Sequence, residues 1–126
     1  MKKNKIITAL LIISVTLAAY KLVYPNHRNI AEEVAMFSIT SDAISNEFMT
    51  DVANAELKYL NNTVEISGTI SELNDKDLTI DETIFCQFLD QFSNLKEQQK
   101  ITIKGRVIGF DDLLEQVKLD QCHIIH

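Results

Sequence analysis

Two eight-residue stretches constrain this chain more than anything else in it: TVEISGTI at residues 63–70 and KITIKGRV at residues 100–107. Each alternates apolar with polar residues and then places a glycine, Gly68 or Gly105, on the apolar side. Successive side chains of a strand point to opposite faces, so a period of two marks a strand with one buried face. A glycine on that face lets a long strand bend where a side chain would strike the opposite wall. A small closed barrel needs this and a flat layer does not.

Three further segments carry the same period. After the turn residues Asn74-Asp75-Lys76-Asp77, Leu78 and Ile80 alternate with Thr79 and Asp81. Ile84, Cys86 and Phe88 then alternate with Phe85 and Gln87, which face outward. Residues 116–125 alternate at Val117 and Leu119 and change phase to Cys122 and Ile124, as a β-bulge near Asp120 and Gln121 would cause. The connection at residues 89–99 has room for one helical turn. Five short strands laid open would leave two unpaired edges, and closure removes them. Three strands, a longer connection and two more strands is the order of the five-stranded OB-fold barrel.

A helix precedes the barrel. Thr40-Ser41-Asp42 offers side-chain oxygens to the orphan amides of a first turn. Ile44, Phe48, Val52, Ala55 and Tyr59 then fall on one stripe, which predicts one amphipathic helix over residues 42–59, stopped by Asn61-Asn62. Residues 30–39, with Ala31, Val34, Ala35 and Phe37, fit a weak helix or an unstructured tether.

The first residues are of another kind. Lys2, Lys3 and Lys5 precede an uncharged run at residues 6–20 that continues past Lys21 through Leu22, Val23 and Tyr24. Residues 6–24 as a helix would reach ~28 Å, close to the ~30 Å hydrocarbon thickness. Such a run is an uncleaved membrane anchor or a signal peptide, and Thr16-Leu-Ala18-Ala19 is a poor cleavage pattern. The basic residues hold the amino end in the cytoplasm and put the rest of the chain outside. The expected organisation is an anchor or signal at 1–24, a linker at 25–41 and an OB-fold domain with its amino-terminal helix at 42–126.

The order of these elements, with their residues, resembles a known family. Ala55-Glu-Leu-Lys-Tyr59 precedes Val64-Glu-Ile-Ser-Gly68-Thr-Ile70; Cys86, Ile101-Thr-Ile-Lys-Gly105 and Leu119-Asp-Gln-Cys122-His-Ile124 follow. This succession is similar to the bacterial tRNA_anti-like family of OB-fold proteins, often secreted or membrane-anchored. The resemblance covers residue 40 to the end and implies a shape rather than an activity. It departs from the family before the fourth strand, where Glu97-Gln-Gln99 stands in place of a turn glycine.

Charge narrows the functions. All eighteen acids lie after residue 29, so residues 30–126 carry seven bases against eighteen acids, a net of −11. Such a domain repels polyanions, and nucleic-acid affinity rests on Lys, Arg and aromatic platforms. Lys104 and Arg106, outward on the fourth strand, are the one close basic pair, and Phe85 is the best stacking ring. These three are the candidate binding residues, beside a bland reading as a solvated strand face and a helix contact.

Cys86 and Cys122 fall on strands that neighbour each other in an OB barrel. They are a disulfide candidate in an oxidising compartment, or two small buried thiols. Cys122, His123 and His126 invite a zinc reading, but alternation turns His123 away from Cys122. No catalytic residue, metal or cofactor is expected: no nucleophile has a recognisable setting and there is no phosphate-binding glycine loop. The expected function is a non-catalytic extracytoplasmic module of the cell envelope with a protein, peptide or small-molecule partner, nucleic-acid binding being the alternative.

Overall fold

The alternating segments pair into a sheet that closes on itself. In the computed structural model, which describes residues 2–23 and 29–125, the elements run α1 (Lys2–Val23), β1 (Phe37–Thr40), α2 (Ser41–Thr50), α3 (Val52–Tyr59), β2 (Thr63–Leu73), β3 (Asp77–Ile80), β4 (Ile84–Phe88), β5 (Lys100–Asp111) and β6 (Gln116–Ile124). Strand order is β1-β2-β3-β4-β6-β5, and a β2–β5 pairing joins the last strand to the second. The result is a closed five-stranded barrel with β1 added outside the ring. Its one parallel seam, β4 against β6, is the closure that lets the connection between them pass through β5.

Closure requires bent strands, and the glycines show why. A Cβ on Gly68 would lie 2.3 Å from Ile80 Cγ2 and 2.4 Å from the Asp81 carboxylate; one on Gly105 would lie 2.7 Å from Cys122 Sγ. Both positions exclude a side chain because another wall of the barrel already fills the space. In register Gly68 faces Ile101 and Gly105 faces Val64, so the two echoing strands are neighbours and bend at different heights. The expected bulge in β6 is present: Arg106 pairs with Asp120 and Lys104 with His123, leaving one extra residue, and Gln121 takes a φ of 49°.

Three local expectations are corrected. The single helix predicted over residues 42–59 is two helices, broken at Asp51, which is extended at φ −156°, ψ 95°. Asp51 Oδ1 accepts from Asn54 N at 3.2 Å and Oδ2 from Asn54 Nδ2 at 2.6 Å, so its side chain opens a new helix rather than continuing the old one. The break lets one apolar stripe wrap the end of the barrel: Ile44, Phe48, Ala55 and Tyr59 all reach the core. Residues 37–40 of the expected tether form β1, parallel to the first half of β2 with Phe37 opposite Val64. The connection 89–99 holds no helix, only a turn at Glu97 and Gln98.

The core fills the barrel with branched residues from every strand, Val64, Ile66, Ile70, Leu78, Ile80, Ile84, Ile103, Val107, Val117 and Leu119 among them, all fully buried. At one end Tyr59 stacks on Phe48 with centroids 6.0 Å apart, and Phe48 stacks on Phe110 at 5.4 Å. These rings tie both helices to β5 and contribute about 0.5–1.5 kcal/mol per pair beyond area burial.

The described side chains of α1, residues 3–19, are all exposed. Among the described residues no helix is long and apolar enough to cross a membrane. The outer part of the expected linker, residues 25–28, and His126 lie outside the described residues.

Candidate nucleic-acid or ligand interface

Pairing across four strands assembles one row on the outer side of the barrel wall, in which Thr79 is buried. Glu72 of β2 faces Thr79 of β3, Thr79 faces Phe85 of β4, and Phe85 faces Lys118 of β6. The Lys118 ammonium sits 4.3 Å from the centre of the Phe85 ring. A cation over an aromatic face at that range is attracted by the ring quadrupole, by about 0.5–1 kcal/mol where solvent is near. Lys118 Nζ also reaches Gln116 Oε1 at 3.4 Å, and Gln116 Nε2 donates to the Glu82 carbonyl at 3.2 Å. Ser71, Glu72, Thr79, Glu82 and Gln116 line an open groove of about 350 Å³ beside this row.

The groove stands on unusual backbone. Asp81 and Glu82 both have positive φ, 49° and 63°, in the tight turn joining β3 to β4. The turn is held from outside: Ser41 Oγ donates to Asp81 Oδ2 at 2.5 Å and Thr69 N to the same oxygen at 3.3 Å. Ser71 Oγ accepts from Glu82 N at 2.8 Å and donates to the Thr79 carbonyl at 3.1 Å. The start of α2 therefore fixes the floor of the groove.

Of the three residues singled out from the sequence, the structure keeps Phe85 in this row and places the other two elsewhere. Lys104 Nζ donates to the carbonyls of Ala31 at 3.1 Å and Glu33 at 2.7 Å. Arg106 bonds Asp120 through Nε at 2.9 Å and Nη2 at 2.5 Å. Strand β6 lies between these cations and Phe85, whose neighbouring cation is Lys118. Sequence reasoning missed Lys118 because its pairing with Phe85 depends on the parallel β4–β6 seam.

Cys86 and Cys122 are both buried and stand as free thiols in this structure. Cys86 is in register with Leu119, and Cys122 with Phe88. Burial, and then the adjacent Cys86 thiol, push the Cys122 thiol well above its ordinary range. Among the described residues no group of three His, Cys, Asp or Glu side chains lies together as metal ligands would.

A second depression, of about 340 Å³, lies in the notch between α2 and α3. Its polar groups already serve the helices: Asp51 and Asn54 form the cap, and Glu47 pairs with Lys58 at 2.7 Å. The hydroxyl of Tyr59 donates to the same Glu47 carboxylate. The Lys58 bond first, then that of Tyr59, lower the pKa of Glu47.

A barrel of this topology, capped by a helix pair before its first barrel strand, has known relatives. The sequence pattern of the tRNA_anti-like family matches residues 1–122. The chain belongs to the tRNA_anti-like family. A comparison with curated proteins finds no match. Among solved structures, a lipoprotein from Klebsiella pneumoniae, provisionally described as nucleic acid-binding, superposes with a TM-score of 0.56 at 17% identity, covering 82% of this chain and 100% of its own. At that identity the likeness speaks for the tRNA_anti-like fold, an OB barrel, and for nothing finer.

Proposed function

We propose that this tRNA_anti-like protein is a non-catalytic binding module of the bacterial cell envelope. Residues 1–24 hold it at the membrane, the domain lies on the extracytoplasmic side, and it takes a small-molecule, peptide or protein partner. The observation that carries the reading is the row Glu72, Thr79, Phe85, Lys118 beside an open groove. A ring with one cation beside it, next to a groove lined by the carboxylates of Glu72 and Glu82, suits a ligand carrying both charges. These residues include no nucleophile with a base to activate it.

Two observations support the location. The apolar side chains of α1 from Ile6 to Leu17 are 56–68% exposed and thus find no partner in the domain, as those of a helix meant for lipid would. The structural neighbour is itself a lipoprotein. A secreted form after signal cleavage is compatible with the same domain.

The description of that neighbour favours a second reading, nucleic-acid binding. Against it stand the net charge of −11 over residues 30–126 and the intramolecular use of Lys104 and Arg106. Ligand-observed NMR with short peptides and small zwitterions tests the first reading. Binding should fall roughly tenfold in Phe85→Ala and in Lys118→Gln; binders indifferent to both substitutions would overturn it. Gel shifts with single-stranded oligonucleotides at low salt should show no complex, and a salt-sensitive complex lost in Lys118→Gln would favour the second reading.

A further inference from the structure

We infer that the segment just after the anchor, with Val34 and Met36 at its exposed crest, rests on the headgroup region of an uncharged or zwitterionic bilayer surface, so that the barrel lies against the membrane. This rests on the anchoring proposed above and adds to it an orientation and a contact surface.

Tether length carries the first step. Six residues, 24–29, separate the end of α1 from Ile30. The seven steps from Val23 to Ile30, fully extended, reach only about 25 Å. Ile30 itself is fully buried, and the carbonyl of Ala31 next to it is bonded to Lys104 of the barrel. The point where the chain enters the domain therefore stays within about 25 Å of where it leaves the bilayer, less than the width of a domain of about 100 residues, whose radius of gyration alone is about 13 Å.

Rigidity carries the second. Residues 30–36 are riveted to the barrel: Lys104 Nζ donates to the carbonyls of Ala31 and Glu33, Thr63 Oγ1 donates to the Glu33 carboxylate at 2.5 Å, and Met36 N donates to the Thr63 carbonyl at 2.8 Å. From this fixed segment Val34 projects with 89% of its surface exposed and Met36 with 66%. Two apolar side chains held at the membrane exit transfer favourably into the boundary between headgroups and acyl chains. Charge selects the lipid: Glu32 is exposed in the same segment and the domain is strongly acidic, so an anionic surface would repel this face.

The opposite pole follows from β2. It starts at Thr63, beside this segment, and runs eleven residues to Leu73, about 33 Å along the strand less what its bend at Gly68 takes up. The β2–β3 turn with its exposed Asp75 is then the part held farthest from lipid.

The chain contains no tryptophan, so single replacements in the full-length protein report their own surroundings. Val34→Trp, Met36→Trp, Asp75→Trp and Leu11→Trp would each be reconstituted in phosphatidylcholine vesicles with brominated lipid as quencher. The expected result is roughly twofold quenching with a blue-shifted emission at 34 and 36, strong quenching at 11, and neither change at 75. Quenching at 11 with 34 and 36 as dark to bromine as 75 overturns the docking while leaving the anchor standing. No quenching at 11 removes the anchor and the docking with it. Equal quenching at 34, 36 and 75 shows a domain without fixed orientation and also overturns the inference. Because Val34 and Met36 are exposed, the substitutions leave the core intact, and each checks the other.

Discussion

Arg106 on β5 and Asp120 on β6 meet in a two-point ion pair, Nε to Oδ1 at 2.9 Å and Nη2 to Oδ2 at 2.5 Å, immediately beside the bulge at Gln121. Both side chains are about three-quarters buried, with 26% and 23% of their surface exposed. The fork of the guanidinium matches a carboxylate in a way that a lysine cannot. Bulges loosen local pairing, so a directional clamp next to one fixes the register of the last strand.

Arg106→Lys should therefore cost about 1 kcal/mol and Arg106→Met about 1–2 kcal/mol, because methionine leaves the carboxylate partly buried and unpaired. Urea denaturation of the full chain measures both. An Arg106→Lys variant as stable as the wild type would show that the fork geometry contributes nothing.

Gly105→Ala should destabilise by about 1–3 kcal/mol, since its new methyl would sit 2.7 Å from Cys122 Sγ. Cys122→Ala in the same chain removes that sulfur, and the double variant should recover part of the loss. Recovery stays incomplete because Leu119 Cδ2 and the Asp120 carbonyl remain at 3.2 and 3.3 Å. A double variant no better than Gly105→Ala alone would place the clash elsewhere.

Glu47 makes an acid-sensitive contribution. Its pKa is lowered in the fold, first by the Lys58 bond and then by Tyr59. A depressed carboxylate adds stability above its unfolded pKa and loses it as pH falls through the folded one. Glu47→Gln should thus lose only about 0.5 kcal/mol near neutrality, the pair being 45% and 37% exposed. The wild-type advantage should begin to shrink as pH falls past the ordinary glutamate pKa of about 4.3 and vanish once pH has passed the lower folded value. Urea midpoints followed across that range give the answer, and a constant gap at every pH would refute the assignment.

Gln98 occupies the left-handed region at φ 70° in the turn before β5, while its amide donates to the Ile70 carbonyl at 2.7 Å. Gln98→Gly keeps that bond and removes the side-chain strain, so it should stabilise the chain by up to about 1 kcal/mol. A lower melting temperature would mean that the entropy of the unfolded glycine dominates.

That turn also shows how far the sequence reaches. The absence of glycine at 97–99 marks a departure from the family pattern, and the fold bridges it by straining one residue instead of rerouting the loop. The strands were legible because each alternates over its own length. β1 was not, since Phe37 to Thr40 is too short to outweigh a helical spacing and its parallel partner lies beyond two helices in the chain. The break at Asp51 was hidden for another reason: Ile44 to Tyr59 keep helical phase through it, so periodicity alone reports one helix. Alternation could show that Phe85, Lys104 and Arg106 face outward. Only tertiary pairing shows that backbone carbonyls and Asp120 consume the two cations, and that Lys118 attends the ring.

β1 and β3 together occupy one margin of β2, each covering half, while β5 takes the other. An extended peptide seeking main-chain hydrogen bonds finds no vacancy along the longest walls, and β1 offers it only a four-residue ledge. A strand added to the described sheet at that margin would have only Phe37–Thr40 to pair with.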